Sequence, residues 1–184
     1  MKRSVIAATV LASLFMSAGS FAAEGSTEGQ LTITGKVTGT TCQFLSGSEN
    51  TTISMSEIGR DQFENVEVGS PVTTYSNTTS LPLKVKCPGE KKPRITFSST
   101  QFEGTGLNVT RNTGDASGVG FAVFLGKGTD SSKRISGNSP IELTSATNNG
   151  EYELHFTAQY AKANNDDVGT GKVSSAITMT VVTD

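Results

Sequence analysis

The side chains best able to do chemistry in this chain are two cysteines, Cys42 and Cys87, and a single histidine, His155. Two thiols could form a disulfide, act as a redox pair or ligate a metal. Their long separation excludes a C-x-x-C redox motif, and no His and Cys cluster with zinc spacing accompanies them. In an oxidising compartment such a pair most simply forms a disulfide; two free buried thiols are the alternative.

The remaining candidates for catalysis or ligand binding are weak. A lone histidine offers one possible base for a catalytic triad, and the chain has no G-x-S-x-G motif. The glycines of 118–120 and 126–128 resemble phosphate loops, but no helix follows to supply anion-binding amides. Residues 164–169 resemble a fragment of a calcium loop without its ligand spacing. We therefore expect no enzyme, no cofactor and no metal site.

The N-terminus has the features of a signal peptide. Lys2 and Arg3 precede a short apolar stretch, and Ser20 and Ala22 supply the small residues of a cleavage site. The predicted signal peptide is residues 1–22, and a hydrophobic N-terminal strand or anchor is the alternative. The formal net charge is −2, and Lys and Arg cluster only in "GEKKPR", residues 89–94, where a solvated turn is favoured over a polyanion site. Nothing therefore indicates nucleic-acid binding.

The elements that must position these side chains are predicted to be β-strands. Short runs of β-branched and aromatic residues alternate with clusters of Gly, Asn, Asp and Ser, a pattern typical of all-β folds. The clearest run, 151–161, alternates apolar residues from Tyr152 to Tyr160 with polar ones that include His155. That period predicts one face on a core and one face, with His155, in water. The predicted strands are 31–38, 41–45, 51–55, 81–87, 94–99, 107–110, 119–125, 133–144, 151–161 and 172–182.

About ten strands, one disulfide and no tryptophan suggest a β-sandwich other than an antibody-type domain. The segment "GQLTITGKVTGTTCQF" then resembles the start of a mature chaperone–usher pilin of the type 1 fimbrial major-subunit family. The downstream stretches "ASGVGFAVF", "LHFTAQYAKA" and "VGTGKVSSAITMTVV" resemble further strands of that family, in the same order. One departure is Thr183, because the family usually carries a tyrosine at that next-to-last position. The positions that match the first motif are Gly29, Leu31, Ile33, Gly35, Val37 and Cys42.

This resemblance implies an incomplete Ig-like β-sandwich that lacks its G strand. It implies a signal peptide over 1–22, an N-terminal donor-strand extension over 23–38 and a pilin β-sandwich domain over 39–184. Gly29, Leu31 and Ile33 would lie in the donor strand. The residues expected to line the acceptor groove are Ile177, Met179 and Val181.

The resemblance also implies a function and partners. The chain would be a structural subunit of a bacterial surface fimbria that polymerises by donor-strand exchange and supports cell adhesion. Its partners would be identical or related pilins, a periplasmic chaperone, an outer-membrane usher and possible host receptors.

Three other readings stay open. Two are fimbrial: a minor adaptor subunit, or a one-domain adhesive pilin whose surface loops bind a host receptor. The third is a self-contained secreted or periplasmic β-sandwich that binds a carbohydrate or a host receptor, with residues 30–37 as an ordinary first strand.

Overall fold

The computed structural model describes residues 42–79, 81–88, 93–104, 106–144, 146 and 148–183. They belong to one compact unit, Thr38–Asp184. The predicted signal peptide, and the predicted extension with Gly29, Leu31 and Ile33, lie outside the described residues. Their assignments therefore stay predictions.

The described part contains eleven short β-strands and no α-helix, which confirms the all-β prediction. Four single turns of 3-10 helix, at Arg60–Phe63, Ser99–Gln101, Ser131–Lys133 and Asn148–Gly150, interrupt the connections between strands. The strands are β1 (Gln43–Phe44), β2 (Asn77–Thr78), β3 (Leu83–Lys86), β4 (Pro93–Phe97), β5 (Phe102–Glu103), β6 (Val109–Thr110), β7 (Val119–Leu125), β8 (Ile141–Glu142), β9 (Glu151–Leu154), β10 (Phe156–Lys162) and β11 (Met179–Thr183).

The strands form two main layers, and every strand pairing is antiparallel. Strands β2 and β3 are consecutive along the chain, and so are β9 and β10. The sheets of strand order β1-β3-β9 and β2-β10-β7 therefore continue into each other and form one layer. The other layer has the order β11-β4-β8, so the last strand lies at its edge. A short β5-β6 pair lies beside β7.

The core lies between the two layers. Leu83, Val85 and Phe156 contribute from one layer and Ile95 and Phe97 from the other, and each is at most 7% exposed. Side chains that alternate along a strand place every second residue on one face, which is why both layers can meet through apolar surfaces. The arrangement confirms the predicted sandwich.

The predicted disulfide is present. Cys42 and Cys87 are joined by an S–S bond of 2.06 Å across a sequence separation of 45. Gln43 lies opposite Lys86 in the β1–β3 ladder. Cys42 directly precedes Gln43 and Cys87 directly follows Lys86, so the two cysteines are next to each other at the end of this ladder. Strand pairing therefore brings the two thiols together, and the bridge fastens the start of the sandwich to its central strand β3.

The prediction of one wet face along 151–161 is wrong for its second half. Thr157 and Gln159 are 1% and 4% exposed, and His155 is half-buried in the break between β9 and β10. The Thr157 hydroxyl donates to the Gly126 carbonyl over 2.8 Å and lies 3.1 Å from the Thr78 hydroxyl. The reverse face of β7 and β10 carries its own apolar cluster, made of Val109, Ala122, Phe124, Ala161 and Ala163.

Candidate functional site

An open groove runs between two segments that have no strand ladder between them. We call residues 49–58 the Ser56 wall and residues 172–179 the C-terminal wall. Among the described residues, no backbone hydrogen bond joins one wall to the other. The predicted strand 51–55 is therefore wrong, since 51–58 is unpaired. The predicted strand 172–182 is partly correct, since pairing on the C-terminal side begins at Met179.

The first of two cavities in the groove has a volume of about 390 Å³. Ile53 and Met55 of the Ser56 wall face Ile177 and Met179 of the C-terminal wall across it. All four side chains are half-buried. The half-buried positions Thr51, Ile53 and Met55 follow the every-second-residue rule of a strand. The floor is formed by core residues of the first layer, namely Leu83, Phe121, Val123, Phe156 and Ala158.

The second cavity continues the groove and has a volume of about 610 Å³. Met55 lines both cavities, so it lies at the point where they meet. Val119 and Tyr160 form part of the floor of the second cavity, and its rim carries charged groups, including Arg60 and Lys172. The floor of the groove is thus apolar, and the rim of the second cavity is more polar.

The C-terminal wall is held from behind by backbone hydrogen bonds. Thr113 N–H donates to the Ser174 carbonyl over 2.7 Å, and Ala116 N–H donates to the Lys172 carbonyl over 3.2 Å. The Gln101 side chain adds two hydrogen bonds to Thr178. Its Nε2 donates to the Thr178 hydroxyl over 3.2 Å, and its Oε1 accepts from the Thr178 N–H over 2.8 Å. The wall is therefore fixed on the side away from the groove.

The Ser56 wall is held differently, by side chains. The Tyr75 hydroxyl accepts from the Ser56 N–H over 3.2 Å and donates to the Ser56 Oγ over 2.9 Å. The Tyr160 hydroxyl donates to the Ser56 carbonyl over 2.9 Å. Asn77 Nδ2 donates to the Ser54 carbonyl, and Thr51 Oγ1 donates to the Leu81 carbonyl.

The two tyrosines differ in their electrostatics. Burial, reinforced by the nearby Tyr75 and Glu57, raises the pKa of Tyr160 above its ordinary value. The hydrogen bonds with the Ser56 side chain and backbone lower the pKa of Tyr75.

The structure places the predicted groove residues as follows. Ile177 and Met179 line the first cavity. Val181 lies further along β11, opposite Ile95, and is packed against the main core. Their contact with a donor strand stays a prediction. Sequence reasoning missed Ile53 and Met55 as groove residues, although their alternation in "TTISM" was the available signal.

The candidates for chemistry do not come together. Cys42 and Cys87 are used by the disulfide, and His155 Nδ1 lies 3.5 Å from the Thr79 hydroxyl. Within the described ranges, no group of three or more His, Cys, Asp or Glu side chains could hold a metal ion. In that same part of the chain, no helix has the length and apolar character that crossing a membrane requires.

Sequence comparisons give two concordant matches. A family model described as "Fimbrial protein" matches residues 31–183. The uncharacterized fimbrial-like protein YehD of Escherichia coli (strain K12) is 34% identical over 189 residues, and the alignment covers 100% of both chains.

Structural comparisons agree on the fold. A chain of a chaperone–usher pilus, solved in a study of rod uncoiling, matches with a TM-score of 0.54 at 16% identity, covering 86% of this chain and 97% of that one. The P pilus rod subunit PapA matches with a TM-score of 0.51 at 17% identity, covering 78% of this chain and 99% of that one. The sandwich is therefore of the Ig-like type found in these pilus subunits.

Proposed function

The chain belongs to the fimbrial protein family, and on that premise we propose that it is a chaperone–usher pilin whose open groove accepts a donor strand from another subunit. As a fimbrial subunit, it is a structural protein of the cell surface and not an enzyme. Donor-strand exchange, and a part in cell adhesion, are the finer proposals. The observation that carries them is the groove itself.

An open groove beside an edge strand suits the addition of a strand. β11 pairs with β4 along one edge, and no strand of the described part pairs along its other edge. Beneath that edge lie half-buried apolar side chains, including Ile177 and Met179. An added strand would supply backbone hydrogen bonds, and its alternate side chains would enter the cavities. Without one, such an edge promotes aggregation.

The proposed occupant is the N-terminal extension, residues 23–38, of a second or a related copy. At about 3.3 Å per residue, it would span roughly 50 Å, and the edge formed by residues 172–183 spans roughly 40 Å. Leu31 and Ile33 share the parity of Gly29, so all three would face the groove together. The first cavity, with its apolar floor, suits the two large side chains.

The strand would run antiparallel to β11. Every strand pairing of the described residues is antiparallel, and antiparallel ladders are slightly more stable per residue than parallel ones. A contact of this head-to-tail kind joins two different surfaces of each copy, so it builds an open filament and not a closed dimer.

The exposed groove also supports the proposal of a chaperone and an usher as partners. A subunit whose groove is empty needs temporary cover during export, which a periplasmic chaperone would provide. An outer-membrane usher would then guide the exchange of that cover for the next subunit's extension. We also propose the division of the chain into a signal peptide (1–22), an extension (23–38) and a pilin domain (39–184).

The test is removal of the extension. A chain that lacks Ala23–Ile33 should fold with the chaperone and bind a synthetic peptide of residues 23–38. It should form no fibres of its own, as seen by electron microscopy. A control chain with Thr32→Ala and Thr34→Ala, which changes only the opposite face of the extension, should form normal fibres. Fibres from the truncated chain, equal to those of wild type, would refute the proposal.

A further inference from the structure

The Ser56 wall depends on side chains in a way that the opposite wall does not. Among the described residues, none of 49–58 makes a backbone–backbone hydrogen bond, whereas Ser174 and Lys172 of the C-terminal wall accept such bonds from the segment between β6 and β7. Segments held by few hydrogen bonds open at lower free energy than ladder strands. Of the two walls, this is therefore the one whose position is easier to change.

The strongest attachment of this wall is at Ser56. Its N–H, its hydroxyl and its carbonyl each bond to a tyrosine hydroxyl: the first two to Tyr75 and the third to Tyr160. These tyrosines come from different places, since Tyr160 belongs to β10 and Tyr75 precedes β2. A single residue thus receives all of its polar partners from two hydroxyl groups.

The Tyr160 hydroxyl is itself rigidly placed. Its residue is 7% exposed, and its ring lies 5.1 Å from the Phe121 ring and 6.5 Å, edge to face, from the Phe63 ring. Aromatic pairs at such distances are favourable. The position of the hydroxyl is therefore set by the core and not by the wall.

Ser56 lies between two residues of the wall that line the groove. Met55 precedes it and lines both cavities, and Ile58 follows and lines the second. A displacement of Ser56 would move Met55 at the junction of the two cavities. The width of the groove at that point thus depends on the two tyrosines.

We propose that Tyr75 and Tyr160 form a clasp on Ser56 that positions the Ser56 wall and so determines how firmly a donor strand is held. The clasp rests on the proposed function, because it presumes that a strand occupies the groove. Tyr75 is a positioning residue, since it lines neither cavity and acts through Ser56 and Met55. Tyr160 positions Ser56 through its hydroxyl, and its side chain also forms part of the floor of the second cavity. The clasp closes one side of the groove, and the backbone-bonded wall provides the fixed side.

The test compares the dissociation rates of a donor peptide. The full mature chain is refolded with an excess of a fluorescent peptide of residues 23–38, which is then displaced by unlabelled peptide. Tyr75→Phe and Tyr160→Phe keep the rings and remove the hydroxyls. Each should speed dissociation about 2- to 10-fold, the range expected for the net loss of one hydrogen bond. Tyr152→Phe is the matched control, because Tyr152 is half-buried on β9 and belongs to neither cavity.

A double-mutant cycle separates the clasp from general loss of stability. Ser56→Ala removes the hydroxyl that Tyr75 bonds, so Ser56→Ala and Tyr75→Phe should be non-additive in their effect on the dissociation rate. Ser56→Ala and Tyr152→Phe should be additive. If Tyr160→Phe does not fold, Tyr75→Phe and Ser56→Ala suffice for the test, since both positions are more exposed.

The outcomes distinguish the clasp from the proposed function. A wild-type chain that fails to retain the peptide would overturn both. A wild-type chain that retains it, with Tyr75→Phe and Tyr160→Phe no faster than Tyr152→Phe, would overturn the clasp alone. Faster release only in the two clasp variants, with the non-additive cycle, would establish it.

Discussion

Filling the groove from within the same chain tests the central proposal most directly. We move residues 23–37 from the N-terminus to a position after Asp184, through a Gly/Ser linker of about four residues. β11 ends at Thr183, so a strand that returns antiparallel along its free edge would form a hairpin with it. A short linker is therefore enough. The product should be a stable monomer that forms no fibres.

The magnitude comes from the two side chains expected in the first cavity. Full burial of Leu31 and Ile33 contributes about 1.5–3 kcal/mol each, or about 3–6 kcal/mol together. Ordering the added strand costs a large conformational entropy. We therefore compare two grafts of equal length, because this cost is the same in both and cancels. The second graft carries Leu31→Asp and Ile33→Asp in the moved segment. For a domain of this size, a difference of about 3–6 kcal/mol in the free energy of unfolding between the two grafts corresponds to about 6–24 °C in Tm.

The assay is thermal and urea unfolding of the purified monomers. A third graft, with Thr32→Asp and Thr34→Asp, places the same charges on the face expected to point to solvent. It should unfold close to the unmodified graft. The reasoning fails if the unmodified graft is no more stable than the Leu31→Asp, Ile33→Asp graft. Stabilisation that appears only with a linker of about 15 residues would show a parallel strand instead.

The remaining predictions concern the sandwich itself. Replacing Cys42 and Cys87 together by Ser should lower the free energy of unfolding by about 4 kcal/mol, because the bridge closes a loop of sequence separation 45; unchanged urea midpoints would contradict this. Phe156→Ala should cost about 3–5 kcal/mol, because the ring is 3% exposed in the main core and also forms floor of the groove. Gly120→Ala should prevent normal folding, since its Cβ would collide with the backbone of β6, whereas Gly128→Ala meets nothing within 4 Å and should be neutral in the same melting assay.

Several features of the fold were predictable from local pattern. The alternation in 119–125 and 151–161 predicted strands because the side-chain period of a strand is two, and these became β7, β9 and β10. The cysteine pair was predictable because an isolated pair in an exported chain has few other uses. The disulfide of the structure confirms that reasoning.

Other features depended on contacts between distant segments. The segment "TTISM" alternates as well as β10 does, yet it has no ladder, because alternation reports which face is buried and not whether a neighbouring strand exists. Thr157 and Gln159 looked like water-facing residues but are buried. The reverse face of β10 lies beside a second cluster that Val109 joins from far earlier in the chain.

The sequence by itself determined the chemical character of this protein: exported, rich in alternating strands and held by one cysteine pair. Tertiary structure alone decided where the sandwich stays open, because a groove is the space left between segments that do not pair, and no local pattern encodes a missing neighbour. It also brought Tyr75 and Tyr160 to the same serine, since their hydroxyls meet only when β10 and the chain before β2 pack against one wall. The physical reason is the sequence distance over which each feature forms: periodicity acts over a few residues, whereas the clasp joins Ser56 to a residue 104 positions away.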